Sequence, residues 1–254
     1  MPSSNSKARL IIDSPREGAM NMAIDQAILE STAATGQTTL RFYAWAPATL
    51  SLGYFQKLED RELHAASARC PIVRRPSGGG AIVHDDELTY SLCVATTGSI
   101  AKANADLYDT VHVAIRDSLA EQGIETSLFE SAPNEKIKAS QSDPFLCFQR
   151  RAVGDLICDG AKVGGSAQRR LKNAIIQHGS LLLSQSEQAP ELPGLKELSG
   201  SAVDVEKLSD SVAVRLAKSM ELEFVVGEVS HAETSRAQEI ENEKFGSQQW
   251  LNKR

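Results

Sequence analysis

Residues 74–85 combine charged, flexible and titratable side chains in a pattern that suits a ligand site. The segment reads Arg-Arg-Pro-Ser-Gly-Gly-Gly-Ala-Ile-Val-His-Asp and lies between two apolar, strand-like runs at 70–73 and 88–95. Consecutive glycines are useful where the backbone turns with positive φ or comes close to a ligand. A planar guanidinium suits a carboxylate or a phosphate. A glycine-rich turn with solvated arginines fits the same residues, and the three glycines alone favour that simpler interpretation.

A second segment, 154–183, places a lysine directly after a predicted turn. Asp159-Gly160 separates two short runs of alternating apolar residues, which indicates a two-residue hairpin turn. With a period of two along the second strand, Lys162, Gly164 and Ser166 are predicted to share one face. Small neighbours would leave a groove beside the lysine. An exposed lysine on an edge strand is the alternative.

These two segments, followed by Gln-His-Gly-Ser-Leu-Leu-Leu at 177–183, resemble in order and spacing the lipoate-protein ligase and octanoyltransferase superfamily, whose catalytic domain is shared with biotin-protein ligases. The resemblance covers 17–185, including Asn-Met-Ala-Ile-Asp at 21–25 and Pro-Ala-Thr-Leu-Ser-Leu-Gly at 47–53, and extends loosely to 244–247 and Trp250. It implies a biotin/lipoyl ligase-like catalytic domain. The substrate-binding residues that it implies are Arg74, Arg75, Ser77, Gly78, Gly79, Gly80, His84, Gly164, Gly165, Ser166, Ala167, His178 and Gly179.

Cys147 is the residue that distinguishes the two reactions of that superfamily, octanoyl transfer through a cysteine thioester and ATP-dependent ligation. It precedes Lys162 by fifteen positions, which resembles the cysteine-dependent octanoyltransferases of the ligase-like branch, where the thiol becomes an acyl thioester and the lysine assists. The segment 149–154 departs from the Ala-Pro-Ser pattern of that branch. A free thiol has a pKa of about 8.5, so a neighbouring ammonium favours the reactive thiolate. A buried structural thiol is the alternative for Cys147.

The predicted function is transfer of an octanoyl or lipoyl group from acyl carrier protein to a lysine of a lipoyl domain or of glycine cleavage H protein. Cys147 and Lys162 are the predicted catalytic residues, and backbone N–H groups at 78–80 or 164–165 would hold the oxyanion. This reaction needs no cofactor and no metal. The first alternative is an ATP-dependent lipoate-protein ligase, alone or with a separate accessory chain, which would use ATP and magnesium. The second is a noncatalytic protein that binds acyl domains.

Composition restricts the class of protein. The 254 residues carry a formal charge of −6, which argues against nonspecific nucleic-acid binding. No apolar run approaches the roughly 20 residues that cross a bilayer, and the first residues lack the apolar core of a signal peptide, so a cytoplasmic location without membrane contact is expected. A basic cluster around the hairpin either steers an acidic partner or is simply solvated: Arg150, Arg151, Arg169, Arg170 and Lys172.

The remaining cysteines and histidines are predicted to be structural. Cys70, Cys93 and Cys158 lack the C-x-x-C spacing of a zinc site. Three histidines fall on predicted helices and are given no catalytic role: His64, His112 and His231.

Periodicity predicts the elements that must position these residues. The predicted fold class is α+β, with mixed and antiparallel sheets flanked by helices. The chain is predicted to form a single domain, 1–254, with its core at about 17–185. Residues 186–254 are predicted to form a linker and C-terminal helices that pack on this core. Strands are predicted at 10–12, 38–44, 48–52, 71–74, 81–84 and 88–95, in the hairpin and at 173–183, and helices at 17–33, 105–122, 204–220 and 229–243. Residues 131–146 are expected to form a mobile loop leading to Cys147, and 184–201 a polar linker.

Overall fold

The structure is a computed structural model, which describes residues 6–96, 107–130 and 144–254. The strands and helices follow in the order β1 Ser6–Ile12, α1 Gly18–Thr35, β2 Thr39–Tyr43, β3 Thr49–Leu52, β4 Ile72–Arg74, β5 Ile82–His84, β6 Glu87–Ala95, α2 Leu107–Ala120, β7 Ser127–Leu128, β8 Leu156–Cys158, β9 Ala161–Leu171, β10 Ala174–Leu182, α3 Leu195–Ser199, α4 Val205–Met220, β11 Leu222–Val226, α5 His231–Ile240 and α6 Gln248–Leu251. None of these described helices is long and apolar enough to cross a membrane.

Two sheets organise the chain. The larger has its strands in the order β11-β1-β2-β6-β10-β9-β8-β7, and the smaller in the order β4-β3-β5. In the larger sheet β1 is parallel to β2 and β11, whereas the pairs from β2 across to β7 are antiparallel. This confirms the predicted α+β class with mixed sheets.

Helices cover both faces of the larger sheet. Alternation along β6 sends Leu92 and Val94 to one face, where α2 and α4 pack, and Cys93 to the other, where α1 and α5 pack. Every residue of β6 is therefore buried. A third apolar cluster lies under the smaller sheet and includes Leu146 and Phe148, so the chain on both sides of Cys147 is anchored in the core.

The predicted hairpin forms at the expected place. β8 and β9 are antiparallel, and the turn residues Asp159 and Gly160 have φ angles of 42° and 75°, the left-handed values that a tight hairpin turn requires. The register shifts between Leu156 and Ile157, because an extra residue of β9 is accommodated there as a bulge. That bulge changes which side chains share a face of β9.

One prediction about the C-terminal half was wrong, and one strand was missed. Residues 184–201 are not only a polar linker, because they contain α3, whose Leu195 is fully buried in the core. The strand β11 was not predicted, since Leu222 is its one buried residue and a parallel edge strand shows little alternation. Two predicted segments extend beyond the described residues: 105–106 of the helix at 105–122, and 131–143 of the loop at 131–146.

Candidate active site

A cavity of about 290 Å³ lies between the larger sheet, α1 and the glycine segment. It gathers most of the predicted site residues, which come from distant parts of the chain: Arg75, Gly78, Gly79, His84, Cys147, Lys162, Gly165, Ser166, Ala167, His178 and Gly179. Seven further residues complete the lining: Met22, Tyr43, Trp45, Ile82, Thr89, Phe148 and Ser180.

Cys147 begins a short 3-10 turn, Cys147–Gln149, and is partly exposed to the cavity. Its backbone N–H donates to the Ala81 carbonyl at 2.7 Å, and the Ala81 N–H donates to the Phe145 carbonyl at 2.8 Å. A Cβ atom at Gly80 would lie only 2.9 Å from that same Phe145 oxygen. Gly80, predicted to bind substrate, therefore allows the glycine segment to approach the cysteine turn, and it does not line the cavity.

Arg75 is buried next to Cys147. Its Nη1 donates to the Ser51 carbonyl at 2.9 Å, and its Nη2 donates to the carbonyls of Gly78 and Gly80 at 2.9 and 2.6 Å. Burial lowers the pKa of the guanidinium, and the nearby Cys147 opposes that shift. The guanidinium is thus a fixed positive charge that holds the glycine segment and acts electrostatically on the sulfur.

Gly79 separates Arg75 from Cys147. Its φ is +96°, a conformation that side chains other than glycine rarely adopt. A Cβ atom at Gly79 would lie 3.0 Å from Arg75 Nη2 and 3.7 Å from Cys147 Sγ. The absence of a side chain at this position therefore keeps the space between cation and sulfur open.

Arg74 does not reach the cavity, contrary to the substrate-binding role predicted for it. It is fully buried, and its guanidinium donates to the backbone carbonyls of Gly53, Tyr54, Gln56 and Leu251 at 2.5 to 3.3 Å. The C-terminal helix α6 also hydrogen-bonds to Arg74, because Trp250 Nε1 donates to the Arg74 carbonyl at 2.8 Å. Arg74 therefore ties the chain terminus to the glycine segment.

Lys162 is buried in the cavity wall and paired with Asp155. The Nζ to Oδ2 distance is 2.8 Å, and the side chains are 6% and 1% exposed. Asp155 also accepts hydrogen bonds from the Tyr108 hydroxyl at 2.8 Å and from the Ala152 N–H at 2.6 Å. Burial and the Asp155 carboxylate raise the pKa of Tyr108, so its hydroxyl remains a donor. Lys162 Nζ also lies 5.5 Å from the centre of the Phe148 ring, one residue after Cys147.

The glycines of β9 differ in role because of the bulge. A Cβ atom at Gly165 would lie 2.7 Å from Lys162 Cε, whereas one at Gly164 would lie 2.7 Å from Leu156 Cδ1 in the core. The predicted shared face of Lys162 and Gly164 is therefore wrong, and Gly165 is the residue that makes room for the lysine. There is also no room for a side chain at Gly179 on β10, because a Cβ atom there would lie 2.7 Å from the Gly165 carbonyl oxygen.

His178 and Ser77 form a buried pair. Ser77 Oγ lies 2.8 Å from His178 Nε2, and burial lowers the pKa of the imidazole to about 4, so the ring is neutral at neutral pH. His178 lines the cavity, while Ser77 supports it from outside the lining. His84 also lines the cavity, with Nδ1 2.7 Å from Glu87 Oε1 and its ring stacked on Trp45 at 3.8 Å between centroids.

Two supporting residues were missed by sequence reasoning. Asp155 stands on the first arm of the hairpin, seven positions before Lys162, and that proximity across a predicted turn was the available signal. His112 lies on α2, where it was given no role near the site. Its Nδ1 lies 2.7 Å from the Gly154 carbonyl oxygen and its Nε2 3.0 Å from Ser166 Oγ, so it joins the helix to both arms of the hairpin. Burial lowers its pKa.

The other end of the cavity suits an apolar chain. The lining residues Gly165, His178, Thr89 and Tyr43 belong to β9, β10, β6 and β2, which are neighbours in the sheet. Adjacent strands are about 4.8 Å apart, so the cavity crosses roughly 14 Å of sheet. Met22 and Trp45 add apolar surface at the end away from Lys162. Lys162 thus lies at one end of the cavity, and Met22 with the stacked rings of Trp45 and His84 forms much of the surface at the other.

The other cysteines are in different surroundings. Cys70, Cys93 and Cys158 are buried, and burial raises the pKa of each thiol. None of them lines the cavity. Within the ranges 6–96, 107–130 and 144–254, no three His, Cys, Asp or Glu side chains are grouped so that they could hold a metal ion.

Comparisons with known proteins agree with one another. The family model described as the lipoyl protein ligase A/B catalytic domain matches residues 17–218. Octanoyltransferase LipM of Clostridioides difficile is 33% identical, over 97% of this chain and 98% of that protein. The LipM of Moorella thermoacetica is 32% identical, over 92% and 93% of the two chains.

Solved structures share the fold. A chain in the structure of a bi-partite lipoate protein ligase and its E2 lipoyl domain from Thermoplasma acidophilum has a TM-score of 0.75 at 19% identity, covering 97% of this chain and 96% of that one. A lipoate-protein ligase A bound with ATP has a TM-score of 0.75 at 20% identity, covering 96% and 98%.

Proposed function

The chain belongs to the lipoyl protein ligase A/B catalytic-domain family, and from that premise we propose that it is an octanoyltransferase of protein lipoylation that works through a thioester on Cys147. The superfamily predicted from the sequence is confirmed. LipM relatives that align over nearly the whole chain support octanoyl transfer. The observation that carries the covalent mechanism is that Cys147 lines one cavity together with two cations, the fixed Arg75 and the paired Lys162. A Cβ atom at Gly79 would lie 3.0 Å from Arg75 Nη2 and 3.7 Å from Cys147 Sγ.

The first half-reaction loads the cysteine. The Cys147 thiolate, stabilised by the two cations, attacks the carbonyl carbon of an octanoyl thioester, and a new carbon–sulfur bond forms. We assign stabilisation of the carbonyl oxygen, as it gains charge, to the backbone N–H groups of Gly78 and Gly79, two residues of the lining. The bond to the donor sulfur then breaks, and the departing thiolate takes the proton that Cys147 lost when it became a thiolate. The octanoyl chain lies in the cavity, toward Met22 and Trp45.

The second half-reaction unloads the cysteine onto an amine. The neutral ε-amine of an acceptor lysine attacks the thioester carbonyl, the bond to Cys147 breaks, and an amide forms. One proton leaves the attacking nitrogen, and Lys162 relays it to the Cys147 sulfur that the amide displaces. Asp155 is a positioning residue in this scheme, because it holds the lysine in the wall at 2.8 Å.

The donor and the acceptor follow from this chemistry. A thioester donor is already activated, so the reaction needs neither ATP nor a metal. The donor is octanoyl acyl carrier protein, and the acceptor is glycine cleavage H protein or the lipoyl domain of a 2-oxoacid dehydrogenase. The cytoplasmic location stays a prediction from the sequence.

One assay separates this proposal from the ligase alternative. The protein is incubated with octanoyl carrier protein and the apo form of H protein, without nucleotide, and the acceptor mass is followed. An octanoyl adduct on the acceptor is expected. A strict requirement for ATP with free octanoate or lipoate, and no turnover of the carrier thioester, would identify a lipoate-protein ligase. Binding without any transfer would leave the noncatalytic alternative.

A further inference from the structure

Three cations lie beside the glycine segment and Trp250, outside the cavity lining: Arg169, Lys244 and Lys253. Gln26, which accepts a hydrogen bond from Lys244, lines the same small pocket as Arg169. They come from β9, from the π-helical turn Glu241–Phe245 and from the end of the chain, so they are far apart in sequence. Within the described ranges none of the three forms an ion pair with a carboxylate, although Arg16, Arg41 and Arg236 elsewhere do. The positive charges of this cation cluster are therefore not neutralised by a carboxylate in direct contact.

Arg169 lies close to the cavity. It lines a small neighbouring pocket together with Met22 and His178, and both of those residues also line the cavity. Arg169 Nη1 donates to the Pro76 carbonyl at 3.0 Å, which places the guanidinium under the glycine segment. With a rise of about 3.3 Å per residue, Arg169 is roughly 13 Å along the strand from Gly165 and the Lys162 side chain.

Lys244 is held in a half-buried position nearby. Its Nζ donates to Gln26 Oε1 at 2.5 Å and lies 4.5 Å from the Phe245 ring centre and 4.6 Å from that of Trp250. Burial, Arg169 and Lys253 lower its pKa to about 8, against the opposite effect of Glu30. Lys253 Nζ lies 4.5 Å from the centre of the same Trp250 ring. Neighbouring positive charges of this kind are stabilised by an anion.

We propose that Arg169, Lys244 and Lys253 bind the phosphate of the phosphopantetheine arm that carries the octanoyl thioester. This inference rests on the proposed function, because it assumes a thioester donor. Between its sulfur and its phosphorus, 4′-phosphopantetheine contains about thirteen bonds, the backbone of roughly four residues, which extends to about 14 Å. That length matches the distance along β9 from the Lys162 side chain to Arg169.

The chemistry of the cluster favours phosphate. A guanidinium offers paired donors and an ammonium a point charge, which is the combination that phosphate groups bind. Carrier protein and coenzyme A both present phosphate at the end of the same arm. The arm would run along β9 past the Arg169 guanidinium, so the acyl group reaches Cys147 while the phosphate stays at the cation cluster.

The test compares two soluble donors that differ in one group. Octanoyl-4′-phosphopantetheine and octanoyl-pantetheine are each mixed with the protein, and the rate of octanoyl adduct formation on Cys147 is measured by intact mass. Wild type is expected to favour the phosphorylated donor by roughly tenfold or more. Lys253→Gln, Lys244→Gln and Arg169→Gln should each move that ratio toward one, and Arg169→Lys should restore part of it. Because the ratio compares two donors on one enzyme preparation, partial misfolding cancels.

Lys218→Gln is the matched control, since it removes one exposed positive charge on α4, away from the cluster. It should keep the wild-type ratio. A wild-type ratio near one, or an unchanged ratio in the three cluster variants, would overturn the proposed phosphate site. Comparison of octanoyl carrier protein with octanoyl-coenzyme A then shows which source of the arm the site prefers.

A binding measurement keeps this inference separate from the proposed function. Calorimetric titration of the protein with 4′-phosphopantetheine and with pantetheine requires no chemistry at Cys147. Tighter binding of the phosphorylated compound, lost in Lys244→Gln, supports the site even if neither donor acylates the protein. Equal binding of both compounds contradicts it.

Discussion

Lys162 and Asp155 form a buried ion pair, with 2.8 Å between Nζ and Oδ2, in the wall of the cavity that Cys147 lines. Three hydrogen-bonding groups surround the carboxylate, because Tyr108 and Ala152 donate to it as well. The lysine is therefore held in place by α2 and by the first arm of the hairpin, as well as by its own strand. The position of the ammonium is a property of the fold and does not depend on bound substrate.

Asp155→Asn should destabilise the protein and slow the reaction. The substitution leaves a buried ammonium without its charge partner, which typically costs about 3–5 kcal/mol. Denaturant unfolding measures the stability, and octanoyl transfer to H protein measures the activity. The double variant Asp155→Asn/Lys162→Met should recover much of the stability but no transfer. An unchanged free energy of unfolding in the single variant, or an active double variant, would contradict this account.

Lys162→Ala should slow transfer of the octanoyl group to H protein by more than it slows adduct formation on Cys147. Both steps lose a positive charge in the cavity wall, and the amine step also loses its proton carrier. The measurement is the rate of each step, followed by intact mass, in the variant and in wild type. Equal rates in the two proteins would remove Lys162 from the mechanism.

Gly79→Ala should impair acylation far more than it impairs folding. The new methyl group would lie 3.0 Å from Arg75 Nη2 and 3.7 Å from Cys147 Sγ, where the reacting carbonyl must fit. Gly36→Ala is the matched control, because Gly36 also has positive φ, +79°, but a Cβ there has no neighbour within 4 Å. Both variants should lose roughly 1–2 kcal/mol to backbone strain, and only Gly79→Ala should lose activity. Similar activities in the two variants would count against the proposed position of the substrate.

His178 should make stability depend on pH. Burial lowers its pKa from 6.5 to about 4. Above pH 6.5 both folded and unfolded states hold a neutral ring, so the full stability is present. As pH falls from 6.5 toward 4, only the unfolded state gains a proton, and stability decreases by on the order of 3 kcal/mol. Below pH 4 this group causes no further loss.

His178→Gln should remove that part of the pH dependence. Unfolding free energies at pH 7 and pH 4.5 should differ less in the variant than in wild type, while the exposed control His231→Gln should behave like wild type. The same difference in all three proteins would show that His178 is not the group responsible.

The sequence predicted much of the site because its signals are local. Asp159-Gly160 identified the hairpin, and the glycine segment and Lys162 carry motifs that can be read within a few positions. The assignment of faces failed where pairing overrides periodicity. The bulge at Leu156 and Ile157 exchanges the roles of Gly164 and Gly165, and alternation from a short strand cannot reveal such an irregularity.

Other errors have a tertiary cause. Arg74 and Arg75 are adjacent and identical in type, yet one binds the C-terminal helix and the other faces Cys147. Which arginine faces the cavity depends on where α6 packs, and no local pattern encodes that. The contact between His112 and the hairpin likewise depends on the packing of α2, so a helical pattern around the histidine gave no sign of it.

The covalent intermediate is the central claim, and intact-mass spectrometry after mixing with octanoyl carrier protein tests it most directly. Wild type and the control Cys70→Ala, which alters a buried thiol outside the cavity, should each gain the mass of one octanoyl group without ATP. Cys147→Ala should gain no mass and should transfer nothing to H protein. An octanoyl adduct on Cys147→Ala, or full transfer by that variant, would contradict the mechanism.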